Sequence, residues 1–210
     1  MPITANQVLA AAERWGLLQT LPGPEAGAER LASYGNLLLH WNTRLSLTAI
    51  RDEAELVERH LMEGVFAAEH HPSGSSTLDF GSGPGVPGIP IAICREQLTI
   101  TLAESHRKKA AFLQEVVRVL GLKAVVHSGR AETLAAETFD AVWMRAVEKS
   151  AAMLPLAATL VAPGGSLCLL GTGIASQIGG SISKASSSWQ WKTLPLPGGK
   201  DRVLHIGQRM

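Results

Sequence analysis

Residues 77–90 read Thr77-Leu78-Asp79-Phe80-Gly81-Ser82-Gly83-Pro84-Gly85-Val86-Pro87-Gly88-Ile89-Pro90, and the organisation of the chain follows from this stretch. Thr77–Phe80 is a short apolar run of strand character that breaks into a series of glycines, and a helical apolar pattern begins at Ile89. A strand, a glycine turn and a helix in that order open a parallel sheet, whose ligands lie at the C-terminal ends of its strands. Further strands are expected at Leu98–Ala103, Ala124–His127, Ala141–Met144 and Ser166–Leu170, with helices at Ile89–Arg95, His106–Leu120 and Ser150–Leu160. The Gly- and Ser-rich stretch Gly171–Ser188 reads as a loop or a frayed helix. Trp189–Leu194 and Arg202–Ile206 flank Pro197-Gly198-Gly199-Lys200-Asp201, which predicts an antiparallel hairpin.

Ahead of the loop the periodicity is helical. Runs over Asn6–Leu21 and Glu25–Trp41 are separated by Pro22-Gly23-Pro24. A third helix starts at a capping box of Asp52 and Glu55, carries an apolar stripe of Leu56, Val57, His60, Leu61 and Val65, and stops before His70-His71-Pro72-Ser73-Gly74. The expected fold class is therefore α/β: a mostly parallel, doubly wound sheet with a C-terminal antiparallel hairpin over residues 73–210, and a helical extension over residues 1–72.

Composition narrows the class of protein. A length of 210 residues suits one α/β domain with a modest extension. Hydrophobic residues make up 46% and charged residues 18%, and no run approaches the roughly 20 apolar residues of a membrane span. The opening MPITANQVLAAAERW has no export-signal pattern, so a soluble, cytoplasmic protein without a membrane partner is expected; it is also expected to be monomeric. A net charge of +1 neither demands nor forbids an anionic partner. Cys94 and Cys168 stand singly in apolar segments and read as core residues, and no His, Cys or carboxylate group has metal-ligand spacing. No Ser-His-Asp or Cys-His arrangement is present, and the Trp residues are not interleaved with basic ones as a stacking platform would require.

The glycines let the backbone turn sharply and let a ligand approach it. In the form D-x-G-x-G-x-G the expected ligand is the amino-acid end of S-adenosylmethionine, with Asp79 orienting the loop. Gly83-x-Gly85-x-x-Gly88 also fits the dinucleotide fingerprint, so NAD stays open on the glycines alone. The register favours the methyl donor, because the series starts at Gly81 directly after the strand and Pro84 and Pro87 stiffen it. Glu104, ending the second strand, can accept ribose hydroxyls as charge-assisted hydrogen bonds. Glu132, after the third strand in Gly129-Arg130-Ala131-Glu132, stands where an adenine would lie.

A basic cluster follows. Ser105 is expected to cap the helix whose first turn holds His106, Arg107, Lys108 and Lys109, where the helix dipole disfavours cations by about 0.3–1 kcal/mol each. A phosphate would supply the missing counter-charge, which points to nucleic acid. Arg130 and Arg145 fall at strand ends on the same edge.

Together these residues resemble the bacterial small-subunit (16S) ribosomal RNA guanine-N7 methyltransferases, also called glucose-inhibited division protein B. The likeness rests on Trp41-Asn42, Leu47-Thr48-Ala49-Ile50, Arg59-His60, the Leu78–Pro90 segment LDFGSGPGVPGIP, Glu104-Ser105, Lys108-Lys109, Phe112-Leu113, Arg130-Ala131-Glu132 and Arg145-Ala146. It implies a Rossmann-like, class I S-adenosyl-L-methionine-dependent fold, with Gly81, Val86, Ala131, Glu132 and Arg145 at the donor and Glu104 at the ribose. It also implies that Lys108, Arg130 and Arg145 lie near the RNA or the reacting guanine of 16S rRNA or the small subunit. The sequence departs from the family at Ser46 (Asn in relatives), Glu63-Gly64 (Asp-Ser) and Leu170-Gly171 (Lys-Gly).

Guanine N7 is an unprotonated lone pair, so its methylation needs alignment rather than a general base. The expected roles follow: Arg145 and Arg130 position the reacting groups, Lys108 and Lys109 hold phosphate, and Asp79, Gly81, Gly83 and Gly85 form the cradle. The alternatives are a methyltransferase of a small molecule or protein, an NAD-binding oxidoreductase, and an RNA-binding protein without activity.

Overall fold

A computed structural model describes residues 2–145, 151–172, 189–198 and 201–210. Its strands are β1 Ser76–Phe80, β2 Thr99–Ala103, β3 Ala124–His127, β4 Phe139–Arg145, β5 Val161–Thr172, β6 Trp189–Pro195 and β7 Arg202–Arg209. They form one sheet in the order β3-β2-β1-β4-β5-β7-β6. The first five in that order are parallel, and β7 runs antiparallel to both β5 and β6, as the hairpin reading predicts. Strand order reverses between β1 and β4, so their C-terminal ends border the crevice where open α/β sheets bind ligands.

The helices are α1 Ala5–Trp15, α2 Pro24–Leu45, α3 Glu53–Leu56, α4 Glu63–Glu69, α5 Gly88–Cys94, α6 Arg107–Leu120 and α7 Leu154–Leu160. A π-helical stretch, Val57–Met62, joins α3 to α4 without a break. Because side chains alternate along a strand, the sheet feeds two cores. Ile100, Leu102, Trp143, Cys168 and Leu170 pack with helices α1 to α6 in a cluster that runs from Ile3 to Ile206. Leu78, Val142, Met144, Leu167 and Leu169 pack on α7 from the opposite face. The first helices therefore lie on the sheet through α5 and α6. At Gly64 a Cβ would stand 2.4 Å from Pro90 Cγ, so the close approach of α4 to α5 depends on that glycine.

Several boundaries differ from the sequence expectation. Helix α1 stops at Trp15, because Gly16 turns left-handed (φ 69°) and its N–H bonds back to Ala12 and Glu13 carbonyls. Leu18–Thr20 is then a separate 3₁₀ turn. Helix α2 continues to Leu45 and ends at Ser46, which adopts a left-handed conformation (φ 47°) that asparagine or glycine tolerates better. Asp52 caps α3 as expected, its carboxylate accepting the Glu55 N–H at 2.8 Å. Strand β5 starts at Val161 rather than Ser166: Val161 pairs with Phe139 and Ser166 with Ala141, leaving Ala162–Gly165 as a bulge. Ala146, Ser150, the 173–188 part of the Gly/Ser-rich stretch, Gly199 and Lys200 lie outside the described residues.

Cys94 and Cys168 are buried, and burial pushes the Cys94 thiol up to about 12 and that of Cys168 higher still, so both behave as core residues. Leu170, where the resemblance would place a lysine, is fully buried in the first core. Among the described residues no helix is long and apolar enough to cross a membrane, and no group of His, Cys, Asp or Glu is arranged for a metal ion.

Candidate functional site

The glycine loop leaves β1 with Gly81, Gly83 and Gly85 all at positive φ (69°, 54° and 92°), a path that side chains rarely follow. The glycines divide by role. A Cβ on Gly81, which is exposed, meets nothing within 4 Å and so faces open space, while one on the buried Gly83 meets only the Gly81 carbonyl at 3.8 Å. A Cβ on Gly85 would meet Ile89 Cγ1 at 2.6 Å, and its N–H and carbonyl are taken by Ser82 and Ile89. Gly85 therefore packs the turn inward, with both of its backbone groups engaged within the loop. The Val86 side chain is likewise buried in the core.

Side chains fix the loop from three directions. Asp79 Oδ2 accepts the Gly88 N–H at 3.1 Å, which is the orienting role expected of it. Burial pushes the Asp79 carboxyl up to about 7, partly offset by that hydrogen bond and by Arg145. The Tyr34 hydroxyl, reaching from α2, donates to the Pro84 carbonyl at 2.7 Å. Glu104, buried at the end of β2, accepts the Gly83 N–H on Oε2 at 2.9 Å and the His106 N–H on Oε1 at 2.7 Å. A carboxylate accepts about four hydrogen bonds, so each oxygen keeps capacity for a hydroxyl. Beyond β3, Ala131 is buried at the start of a 3₁₀ turn, while Arg130 and Glu132 are exposed. Loop, Glu104 and Glu132 thus follow one another across the adjacent strands β1, β2 and β3, about 4.8 Å per strand.

Helix α6 carries the basic cluster. Its N-cap is His106, with no side-chain cap, so Ser105 does not cap the helix as expected. The uncapped N–H groups of the first turn face the same end as the exposed Arg107 and Lys108 and the half-buried Lys109.

Arg145, at the end of β4, is not free. Its terminal nitrogen contacts the Arg59 carbonyl at 2.9 Å, His60 Nδ1 at 3.2 Å and Glu63 Oε2 at 3.2 Å, all in the π-helical stretch or the residue after it. Burial lowers the Arg145 pKa from its usual value, and Glu63 opposes this. Glu63 also pairs with Arg202 of β7, whose Nε lies 2.5 Å from Oε1. Neither Glu63, Arg202 nor Tyr34 stood out in the sequence as functional; the available signal was a lone carboxylate inside the apolar run Leu61–Ala68.

His60 completes this cluster. Its Nδ1 takes the Arg145 N–H, so Nε2 carries the proton toward Thr48 Oγ1 at 2.9 Å. Burial, then the Arg145 charge, drives the imidazole pKa down to about 3, so the ring is neutral in the fold. Unfolded, it titrates near 6.5. The stability it contributes is complete above about 6.5 and is lost as pH falls toward 3. Asp79 has the opposite sign, since its raised pKa makes the fold less stable as pH rises from about 4 to 7. The comparison that isolates His60 is urea unfolding of wild type and His60→Gln. The wild-type advantage is expected to shrink by up to about 1.4 kcal/mol per unit between pH 6 and 4; a pH-independent difference would contradict the neutral, buried ring.

The family model of GidB, described as rRNA small subunit methyltransferase G, matches residues 27–188. A ribosomal RNA small subunit methyltransferase G of Xanthomonas axonopodis pv. citri (strain 306) is 43% identical over 165 residues, covering 78% of this chain and 76% of the relative. Among solved structures, a ribosomal protein L11 methylase from Lactobacillus delbrueckii subsp. bulgaricus superposes with TM-score 0.59 at 11% identity, covering 72% of this chain and 79% of that one. A T. thermophilus 16S rRNA N2 methyltransferase in complex with AdoMet and guanosine gives TM-score 0.53 at 16% identity, covering 72% of this chain and 39% of that one. At such identities the two structures bear on the fold alone.

Proposed function

Because the chain belongs to the rRNA small subunit methyltransferase G family and is an S-adenosyl-L-methionine-dependent rRNA methyltransferase, we propose that it methylates N7 of a guanine in 16S rRNA, by positioning rather than by acid–base catalysis. The observation that carries the donor site is the open face at Gly81, continued along the sheet edge by Glu104 and Glu132. These residues fit an adenosyl ligand: the loop suits the amino-acid end, Glu104 the ribose hydroxyls and the Ala131-Glu132 turn the purine. When bound, S-adenosyl-L-methionine supplies an electrophilic methyl group. The dinucleotide alternative gives way to the family membership, and the N–H of Gly85, the second glycine of that fingerprint, is already bonded to the Ser82 carbonyl.

On the substrate side, the exposed Arg130, Lys108 and half-buried Lys109 border the same edge and are assigned to RNA phosphates, which neutralise the cations of the α6 first turn. Arg145 ends β4, on the other side of the loop from Lys108 and Arg130, and is assigned to hold the reacting groups in line. Neutral N7 offers its lone pair without losing a proton, so the site needs no base, and the buried His60 is committed to Arg145 and Thr48. A small-molecule substrate would leave the basic cluster without a purpose. We assign the enzyme to the cytoplasm, where its rRNA substrate is.

Incubation of the protein with small ribosomal subunits or 16S rRNA and a methyl-labelled donor is expected to label one guanine at N7, with RNA binding that weakens steeply as salt rises. Label on another atom or base would refute the N7 assignment, and salt-independent activity would refute the phosphate contacts.

A further inference from the structure

Glu63 has only 2% of its side chain exposed and lies in an apolar helical run, where a carboxylate is costly unless paired. An apolar residue of similar volume in such a place is often as stable or more so, which directs attention to what the charge does for geometry. Its two oxygens are bracketed by Arg202, with Nε at 2.5 Å from Oε1 and the terminal nitrogen at 2.7 Å from Oε2. The Nε approach is an ion-pair contact without hydrogen-bond geometry, so the terminal nitrogen carries this fork, and Oε2 also reaches Arg145 at 3.2 Å. All three anchors of Arg145 fall on a single terminal nitrogen, while its Nε is buried with no partner among the described residues. A buried donor without an acceptor is rare in folded proteins. Here it lies on the arginine beside the glycine cradle, close enough for its charge to act on Asp79 and Tyr34.

We infer that Glu63 is a positioning residue for methyl transfer: clamped by Arg202, it locks one end of the Arg145 guanidinium so that the other end is held for the reacting partners. The inference rests on the reading of the chain as an rRNA methyltransferase in which Arg145 acts. It also joins the two ends of the chain at the site, since Glu63 comes from the N-terminal helices and Arg202 from the C-terminal hairpin.

The test is steady-state methyl transfer to rRNA by wild type, Glu63→Gln, Arg145→Gln and the double variant, each with a melting temperature. Glu63→Gln is expected to lower kcat at least about tenfold with KM for the donor within about threefold. In the Arg145→Gln background the Glu63→Gln change is expected to lower kcat no further, because the carboxylate acts only through that arginine. A folded Glu63→Gln enzyme with wild-type kcat, or losses that multiply in the double variant, would overturn the inference. Should Glu63→Gln not fold, Arg202→Lys loosens the fork while keeping the charge: reduced kcat at unchanged KM supports the clamp, and wild-type kcat overturns it. Rescue of kcat by Glu63→Asp, with carboxylate retained, is the further supporting result. Wild-type protein that methylates no rRNA would overturn the functional reading itself, an outcome visible before any variant is compared.

Discussion

Gly81→Ala is expected to leave a folded protein that binds its methyl donor much more weakly. The added methyl meets no protein atom within 4 Å, so the only internal cost is the left-handed backbone at φ 69°, about 1 kcal/mol, or a melting temperature about 2–4 °C lower. The same methyl projects into the open side of the cradle, where misfit of about 1–3 kcal/mol corresponds to roughly 5- to 150-fold weaker binding. Gly88→Ala makes the instructive contrast. Its Cβ would stand 2.5 Å from Leu102 Cδ2 and 2.6 Å from Asp79 Oδ2, against atoms that hold the loop. Stability itself is then expected to fall, by about 1–3 kcal/mol, together with binding. Titration calorimetry with the donor or its demethylated product, alongside thermal melts, separates the two cases. Wild-type affinity in Gly81→Ala would mean that the ligand lies elsewhere.

The second large effect is at the arginines. The Arg130→Ala, Arg145→Ala double variant is expected to methylate rRNA at least about 100-fold more slowly, the scale of loss produced by misplacing reacting groups by about 1 Å. The single changes should differ in kind. Arg130 is exposed, so its loss leaves stability within about 0.5 kcal/mol and lowers the salt slope of RNA binding by about one. Arg145 is part of a buried ion cluster, and removing one partner of such a cluster commonly costs about 3–5 kcal/mol, moderated here because Arg202 still holds Glu63. Rates and melting curves for all three variants check this. Full activity in the double variant would remove both arginines from the mechanism.

Much of this arrangement was legible in the sequence because it depends on local chemistry. The strand, glycine turn and helix at 76–94 follow from apolar pattern and glycine conformational freedom, and Asp79 does orient the loop as its place before the glycines suggests. Acids at successive strand ends were visible for the same reason. What was hidden depends on distance in the chain. Glu63 and Arg202 are 139 positions apart, and neither has a local signal that names the other. Tyr34 reads as one more apolar position of α2 until its hydroxyl meets Pro84, which stands 50 residues later. The N-cap at His106 was misread because Ser105 is the better capping residue in isolation, whereas Glu104 already binds the His106 N–H and sets where the helix begins. The packing of Gly85 was hidden because a glycine that admits a ligand and one that admits a neighbouring Ile89 look alike in sequence.

The hydroxyl of Tyr34 on the Pro84 carbonyl has a bearing on how such a protein can evolve. One support of the glycine loop is supplied by a helix that precedes the sheet in the chain, so the front portion is not a detachable adaptor that could be traded for another specificity. Recombination between relatives would keep a working grip only where both parts came from the same parent, or where a hydroxyl at that position and the loop it touches were inherited together.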